Sequence, residues 1–124
     1  MVVGIGTDIV NIERIENIFQ KYGDKFLKKN FHKLEIEKFI MLTSMQRRGY
    51  LAKRFAAKEA VAKAFGVGIG KSLAFRDIAI VNNGIGVPRV VISPEKFPDI
   101  AKYNIQVSLS DDYPFAVAFV VVTR

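Results

Sequence analysis

The stretch RFAAKEAVAKAFG, Arg54 to Gly66, constrains this chain more than any other, because it sets a carboxylate and an ammonium on a helix otherwise built largely from alanine and phenylalanine. Lys63 follows Glu59 at i+4, and Ala52, Phe55, Ala56 and Ala62 fall near Glu59 on a wheel of about 3.6 residues per turn. A face so apolar is expected to be buried, with Arg54 and Lys58 on nearly the opposite side. The commonest meaning of a Glu to Lys i,i+4 spacing is a surface pair contributing a few tenths of a kcal/mol. That meaning fits poorly here. A carboxylate driven among small and greasy neighbours needs a cation, which Lys63 or a metal ion would supply.

The chain has 124 residues, the size of one domain with a single core. No apolar run approaches the roughly 18 residues of a membrane span. The first ten residues carry Asp8 instead of a basic start followed by a long apolar core, so a soluble, cytoplasmic protein is expected. There is no cysteine, which excludes disulfides, thiolate metal sites and a cysteine nucleophile. The one histidine, His32, is better suited to a surface or structural role than to a catalytic base, and multi-histidine metal sites are excluded. Charge is uneven. Residues 11 to 63 hold 13 of the 19 lysines and arginines against 6 of the 12 acids, and 13 minus 6 is the entire net charge of +7. Such a segment attracts a polyanion, whether nucleic acid, acidic protein or phosphorylated small molecule.

Along the chain, VVGIGTDIV reads as a strand whose glycines permit close backbone approach, with Asp8 near its end. Asn11 is a good cap for a helix carrying Ile12, Ile15, Ile18 and Phe19 on one face and closed by Gly23, which leaves Glu13, Arg14 and Lys21 off the core stripe. Asp24 opens a short helix, Leu34 to Leu42 a further one, and Ser44 is expected to cap a long helix from Met45 to Phe65, ended by Gly66. Beyond Gly66, residues 77–81, 87–93, 105–110 and 115–122 are strand candidates, and Ser93 and Pro94 open a short helix carrying Phe97, Ile100 and Tyr103. The pattern predicts an α+β fold in a single domain, a mainly antiparallel β-sheet packed against a long helix.

Two glycine patterns are decoys. GVGIGKS, Gly66 to Ser72, lacks the first glycine of a phosphate loop, where Phe65 stands, and it follows a helix instead of joining strand to helix. Gly4 and Gly6 are followed by Ile9 where a dinucleotide fingerprint needs Gly or Ala. Gly66, Gly68 and Gly70 remain a segment whose amides can approach a phosphate, although a helix C-cap followed by turns explains them as well. Asp8 and Glu59 make the better pair. Each comes from a rigid element, and two carboxylates without histidine or cysteine suit Mg²⁺, a hard ion that keeps waters and takes further oxygens from substrate phosphates.

Asp8 within GIGTDIV, the RFAAKEAVAKAFG helix, the following GIGKSLAFRDI and the closing QVSLSDDYPFAVAFV together resemble the holo-acyl-carrier-protein synthase family of phosphopantetheinyl transferases, in order and spacing over nearly the whole chain. The resemblance implies transfer of phosphopantetheine from coenzyme A to a serine of apo acyl carrier protein in fatty acid biosynthesis, with release of adenosine 3',5'-bisphosphate. It also implies a homotrimer with active sites between subunits. On this reading Asp8 and Glu59 hold Mg²⁺ against the pyrophosphate, and Lys63 neutralises the departing bisphosphate. The serine's proton goes to Glu59 or to a metal-bound hydroxide or water. Arg54, Lys58 and Gln106 bind coenzyme A phosphates, while Gly66, Gly68, Gly70 and Lys71 lie alongside the nucleotide. Arg14, with Lys21, Lys25, Lys28 and Lys29, offers the acidic carrier a complementary surface.

Two positions depart from the family pattern. Gln106 and Asp111 stand where histidines are common, so Gln106 can donate to a phosphate without carrying charge, and Asp111 would repel one unless it faces a cation. Two other readings compete. A nucleic-acid-binding protein would account for the basic half and the aromatics, but the late strands carry few basic residues. A scaffold that binds carrier without catalysis would account for the missing histidines, and it leaves Asp8, Glu59 and Lys63 without a purpose.

Overall fold

The structure, a computed structural model, describes residues 1–66 and 73–124. The chain runs through β1 (Val2–Asn11), α1 (Ile12–Tyr22), α2 (Asp24–Asn30), α3 (Lys33–Met41), α4 (Ser44–Arg47) and α5 (Tyr50–Phe65). It continues as β2 (Ile78–Asn82), β3 (Pro88–Ile92), β4 (Asn104–Asp112) and β5 (Phe115–Thr123). Strands β1, β5 and β4 form one sheet in that order, and β2 and β3 a second, with every pairing antiparallel. This is the α+β class that the pattern predicts, with helices gathered in the first half and most strands in the second.

Alternation along β1 sends Gly4, Gly6, Asp8 and Val10 to one face, where the register sets them beside Val122, Val120, Ala118 and Ala116 of β5. Those four β5 side chains are wholly buried, so this is the face that α5 covers. The contact is unusually close. A Cβ built on Gly6 would lie 1.9 Å from the carbonyl oxygen of Ala60, and one built on Gly4 would lie 2.0 Å from that of Ala64. Only the absence of side chains at both positions lets the helix backbone seat on the strand. On its other side α5 meets Ile12 and Ile15 of α1, Phe39 of α3, and Ile78 and Ile80 of β2, all in the same buried cluster.

Local signals set the helix ends. The Asn11 side chain accepts from Arg14 N and opens α1, Gly23 closes it, and Gly66 (φ 76°) ends α5. His32 caps α3, with Nδ1 accepting from Leu34 N while Glu35 Oε1 accepts from His32 N, so the lone histidine has a structural role. The expected helix from Met45 to Phe65 is interrupted. Thr43 caps a single turn, and Gly49 in the left-handed region (φ 79°) breaks the path before Tyr50. The segment after Ser93 also differs, forming only a 3₁₀ turn at Pro98–Lys102, where Phe97 and Tyr103 pack on the Phe65 ring at 5.3 Å.

Gly6→Ala should therefore cost at least about 3 kcal/mol, the upper end of what overpacking usually costs, because the obstacle is backbone and cannot swing away. Urea unfolding measures it, and an unchanged midpoint would refute the close seating of α5 on β1.

Candidate functional site

Because Asp8 continues the row begun by Gly4 and Gly6, the helix that covers the glycines also covers it. Lys63 Nζ lies 3.0 Å from Asp8 Oδ1 and donates to the Thr7 carbonyl at 3.0 Å. The Asp8 side chain is only 17% exposed, while that of Lys63 is 56% exposed and faces outward from the pair. Glu59, one helical turn before Lys63, is half-buried. Burial raises the Glu59 pKa first, the neighbouring Asp8 charge raises it further, and Lys63 and Arg14 pull it partly back. Asp8, Glu59, Lys63 and Arg14 thus form one electrostatic cluster from β1, α5 and α1. Of the two cations considered for Glu59, Lys63 pairs instead with Asp8, since the strand presents a carboxylate within direct reach.

The cluster suits a hard divalent cation. It offers two carboxylates on rigid elements, one reluctant to hold its charge unaided, while the lone histidine is committed to its helix cap. Among the described residues no group of three or more His, Asp or Glu side chains gathers, so remaining ligand positions would fall to water and substrate oxygens.

The two cations expected on the solvent side of the helix are buried. Lys58 is 0% exposed, and its Nζ lies 2.5 Å from Glu35 Oε1 while donating to the carbonyls of Phe75 and Ile78. All three of its donors are used, which corrects the expectation that Lys58 binds a phosphate. Desolvation lowers its pKa, opposed by the Glu35 charge. Arg54 is 6% exposed, with its guanidinium 3.9 Å from the Tyr50 ring centroid and Nη2 donating to Asn82 Oδ1 at 3.5 Å. Its Nε is the one buried side-chain polar atom among the described residues without a partner. The physical source is that α5 is packed on both sides, so the turn bearing Arg54 and Lys58 faces α3 and β2 instead of water. Glu35 was missed because its partner lies far along the chain, and its only sequence signal was its place three residues after His32.

Gln106 is elsewhere. It pairs with Val121, which in turn faces Ile5, so it lies on the sheet face opposite to Asp8. It also lines a cleft between β3 and β4 with Asn83, Arg89, Tyr103 and Asn104. Asp111 is held at 3.3 Å from Lys53 Nζ, the cation it needed. Arg14, Lys21, Lys25, Lys28 and Lys29 are all exposed on α1 and α2, where Ile18, Tyr22 and Phe26 form an apolar cleft rimmed by Lys25 and Lys29. Gly66 is described as the cap of α5, whereas Gly68, Gly70 and Lys71 lie outside the described residues.

Comparison with known proteins points the same way. Residues 4–118 match the 4'-phosphopantetheinyl transferase superfamily. The chain is 47% identical to the holo-[acyl-carrier-protein] synthase of Orientia tsutsugamushi (strain Ikeda), over 99% of this chain and 98% of that one. It superposes on the holo-[acyl-carrier-protein] synthase of Neisseria meningitidis with a TM-score of 0.88 and 37% identity, both chains being fully covered. For the Bacillus anthracis str. Ames enzyme in complex with CoA (3',5'-ADP), the values are 0.82 and 38%, over 98% of this chain and 96% of that one.

The raised Glu59 pKa has a consequence for stability. In the metal-free protein the raised pKa makes ionised Glu59 costlier in the folded than in the unfolded chain, and that cost disappears once pH falls below the ordinary carboxylate value of about 4.3, where both hold the proton. Glu59→Gln should therefore melt higher than the wild type at pH 7, with the gap closing as the pH falls through that window. Mg²⁺ should raise the melting temperature of the wild type and leave the variant unmoved. A variant that melts lower at pH 7, or responds equally to Mg²⁺, would contradict the cluster.

Proposed function

The chain belongs to the 4'-phosphopantetheinyl transferase superfamily as an enzyme of the holo-[acyl-carrier-protein] synthase type, and from that premise we propose that it moves phosphopantetheine from coenzyme A to a serine of apo acyl carrier protein, in a Mg²⁺-dependent reaction that serves fatty acid synthesis in the cytoplasm. The observation that carries this reading is the meeting of Asp8, Glu59 and Lys63 at the seam between β1 and α5. When bound there, Mg²⁺ would be held by Asp8 and Glu59 and would offset charge on the pyrophosphate.

The protein's own residues account for the rest. The serine oxygen attacks the phosphorus bearing the pantetheine arm, the bond from that phosphorus to the bridging oxygen breaks, and adenosine 3',5'-bisphosphate leaves. The serine proton passes to Glu59 or to a water at the site, and Lys63, tethered to Asp8 yet largely exposed, is placed to meet charge on the departing bisphosphate. Arg54 keeps an unpartnered Nε within its buried setting, which supports a role toward a phosphate. Arg14 and the lysines of α1 and α2 favour an acidic carrier, with Ile18, Tyr22 and Phe26 between them for its apolar side chains.

A homotrimer with shared active sites is part of the proposal. On the sheet face away from α5, Ile5, Ile9, Phe115 and Phe119 are 62%, 61%, 46% and 45% exposed, a contiguous apolar surface of the sort that marks an interface between proteins. Gln106 shares that face, so its contact with a ligand of the Asp8 cluster requires a neighbouring subunit.

Incubation with coenzyme A, Mg²⁺ and apo carrier protein should increase the carrier mass by one phosphopantetheine, and no gain with any divalent ion would overturn the proposal. Asp8→Asn and Glu59→Gln should each lose at least about a hundredfold in kcat with the fold intact. Arg14→Ala should raise KM for carrier severalfold with KM for coenzyme A unchanged; the reverse pattern would remove Arg14 from the carrier surface. Phe119→Glu should yield smaller species in analytical ultracentrifugation and lose activity, whereas an unchanged sedimentation profile would contradict an interface on this face.

A further inference from the structure

The most heavily bonded charged group among the described residues lies outside the reacting cluster. Glu35 and Lys58 are 1% and 0% exposed, and every polar atom of the pair is occupied. Glu35 Oε1 takes Lys58 Nζ at 2.5 Å and the His32 amide at 2.9 Å, while Oε2 takes the Ile80 amide at 3.0 Å. Lys58 adds the Phe75 carbonyl at 3.1 Å and the Ile78 carbonyl. One ion pair therefore ties α5 to the cap of α3, to β2 and to the turn before β2.

On its opposite side α5 rests on Gly4 and Gly6 through Ala60 and Ala64. That seam is closely packed, and the bonds made by Lys58 on the far side add a directional constraint on rotation of the helix about its axis. Rotation matters here. With side chains reaching roughly 5–6 Å from the axis, a turn of about 20° moves a carboxylate by about 2 Å. A displacement of about 1 Å in a reacting group can cost about a hundredfold in rate. Glu59 is the next residue after Lys58, and Lys63 follows one turn later.

We propose that Glu35 and Lys58 are positioning residues for the transfer step, fixing the rotation of α5 so that Glu59 and Lys63 meet Asp8. The inference rests on the transferase reading above. Neither residue touches the reacting groups, and their bonds run to backbone on elements away from the cluster. Removing one partner would strand a buried charge, at a typical cost of about 3–5 kcal/mol, whereas replacing both with apolar groups of similar volume is often neutral or stabilising. The double variant Glu35→Leu with Lys58→Met therefore keeps the packing and removes the directional bonds.

The test compares this variant with the wild type, with carrier loading and Mn²⁺ binding in the presence of coenzyme A measured on both. The expected result is a folded protein that melts below the wild type, because the His32 and Ile80 amides and the Phe75 and Ile78 carbonyls lose their partners, with a kcat at least tenfold lower, a KM for carrier within twofold, and a weakened Mn²⁺ affinity. A folded double variant with wild-type kcat, or with wild-type Mn²⁺ affinity, overturns the proposal. If the double variant does not fold, Glu35→Gln, which preserves the side-chain shape but leaves the Lys58 charge unpaired and so melts lower, is read by kcat, KM for carrier and Mn²⁺ affinity. A wild type that loads no carrier overturns the transferase reading itself, and is thereby distinguished from failure of the positioning role alone.

Discussion

Everything chemical in this structure depends on a helix backbone lying against a strand with no side chain between them. The carbonyl oxygens of Ala60 and Ala64 occupy space that a Cβ on Gly6 or Gly4 would fill. Asp8 is the next residue on the same face of β1, so the approach that seats the helix also delivers its carboxylate to Lys63 at 3.0 Å and into the field of Glu59. Glycine weakens a strand on its own account. Here it is tolerated in β1 because the strand is held along its length by β5 and covered by α5.

The second dependency is charge burial. A helix packed on both sides has little surface to turn to water, so its inward-facing polar residues must find a partner or do work. Lys58 finds Glu35 and two carbonyls, and Arg54 finds the Tyr50 ring and Asn82. Glu59 is left half-buried, with a carboxylate for a neighbour and no ion pair of its own among the described residues. The Lys58 pair is satisfied internally, whereas Arg54 keeps one unpartnered Nε. Glu59 faces the seam where a divalent ion and a diphosphate would complete it.

Much of this was legible in the amino-acid order, because it rested on local rules. The alternation of GIGTDIV set the glycines and Asp8 on one face, Asn11 and Gly23 bracketed α1, and the apolar setting of Glu59 marked it as a residue in need of a cation. What was not legible depended on pairings between distant segments. Lys63 had a carboxylate four residues away and another on a strand, and only the fold decides between them. Lys58 looked exposed because its partner Glu35 belongs to a different helix. Gln106 and Asp8 emerge on opposite faces of one sheet only through the register that each strand holds with β5. The break at Gly49 had its signal in the glycine itself, which was outweighed by the good helix formers on both sides.

The central claim, that β1 and α5 meet to form a divalent-metal centre, is tested most directly by anomalous diffraction from crystals grown with Mn²⁺ and coenzyme A. The account predicts one strong Mn²⁺ peak within ligand distance of both the Asp8 and Glu59 carboxylates, beside the pyrophosphate. A peak bound elsewhere on the protein, or well-ordered coenzyme A with no metal between those two carboxylates, would contradict it.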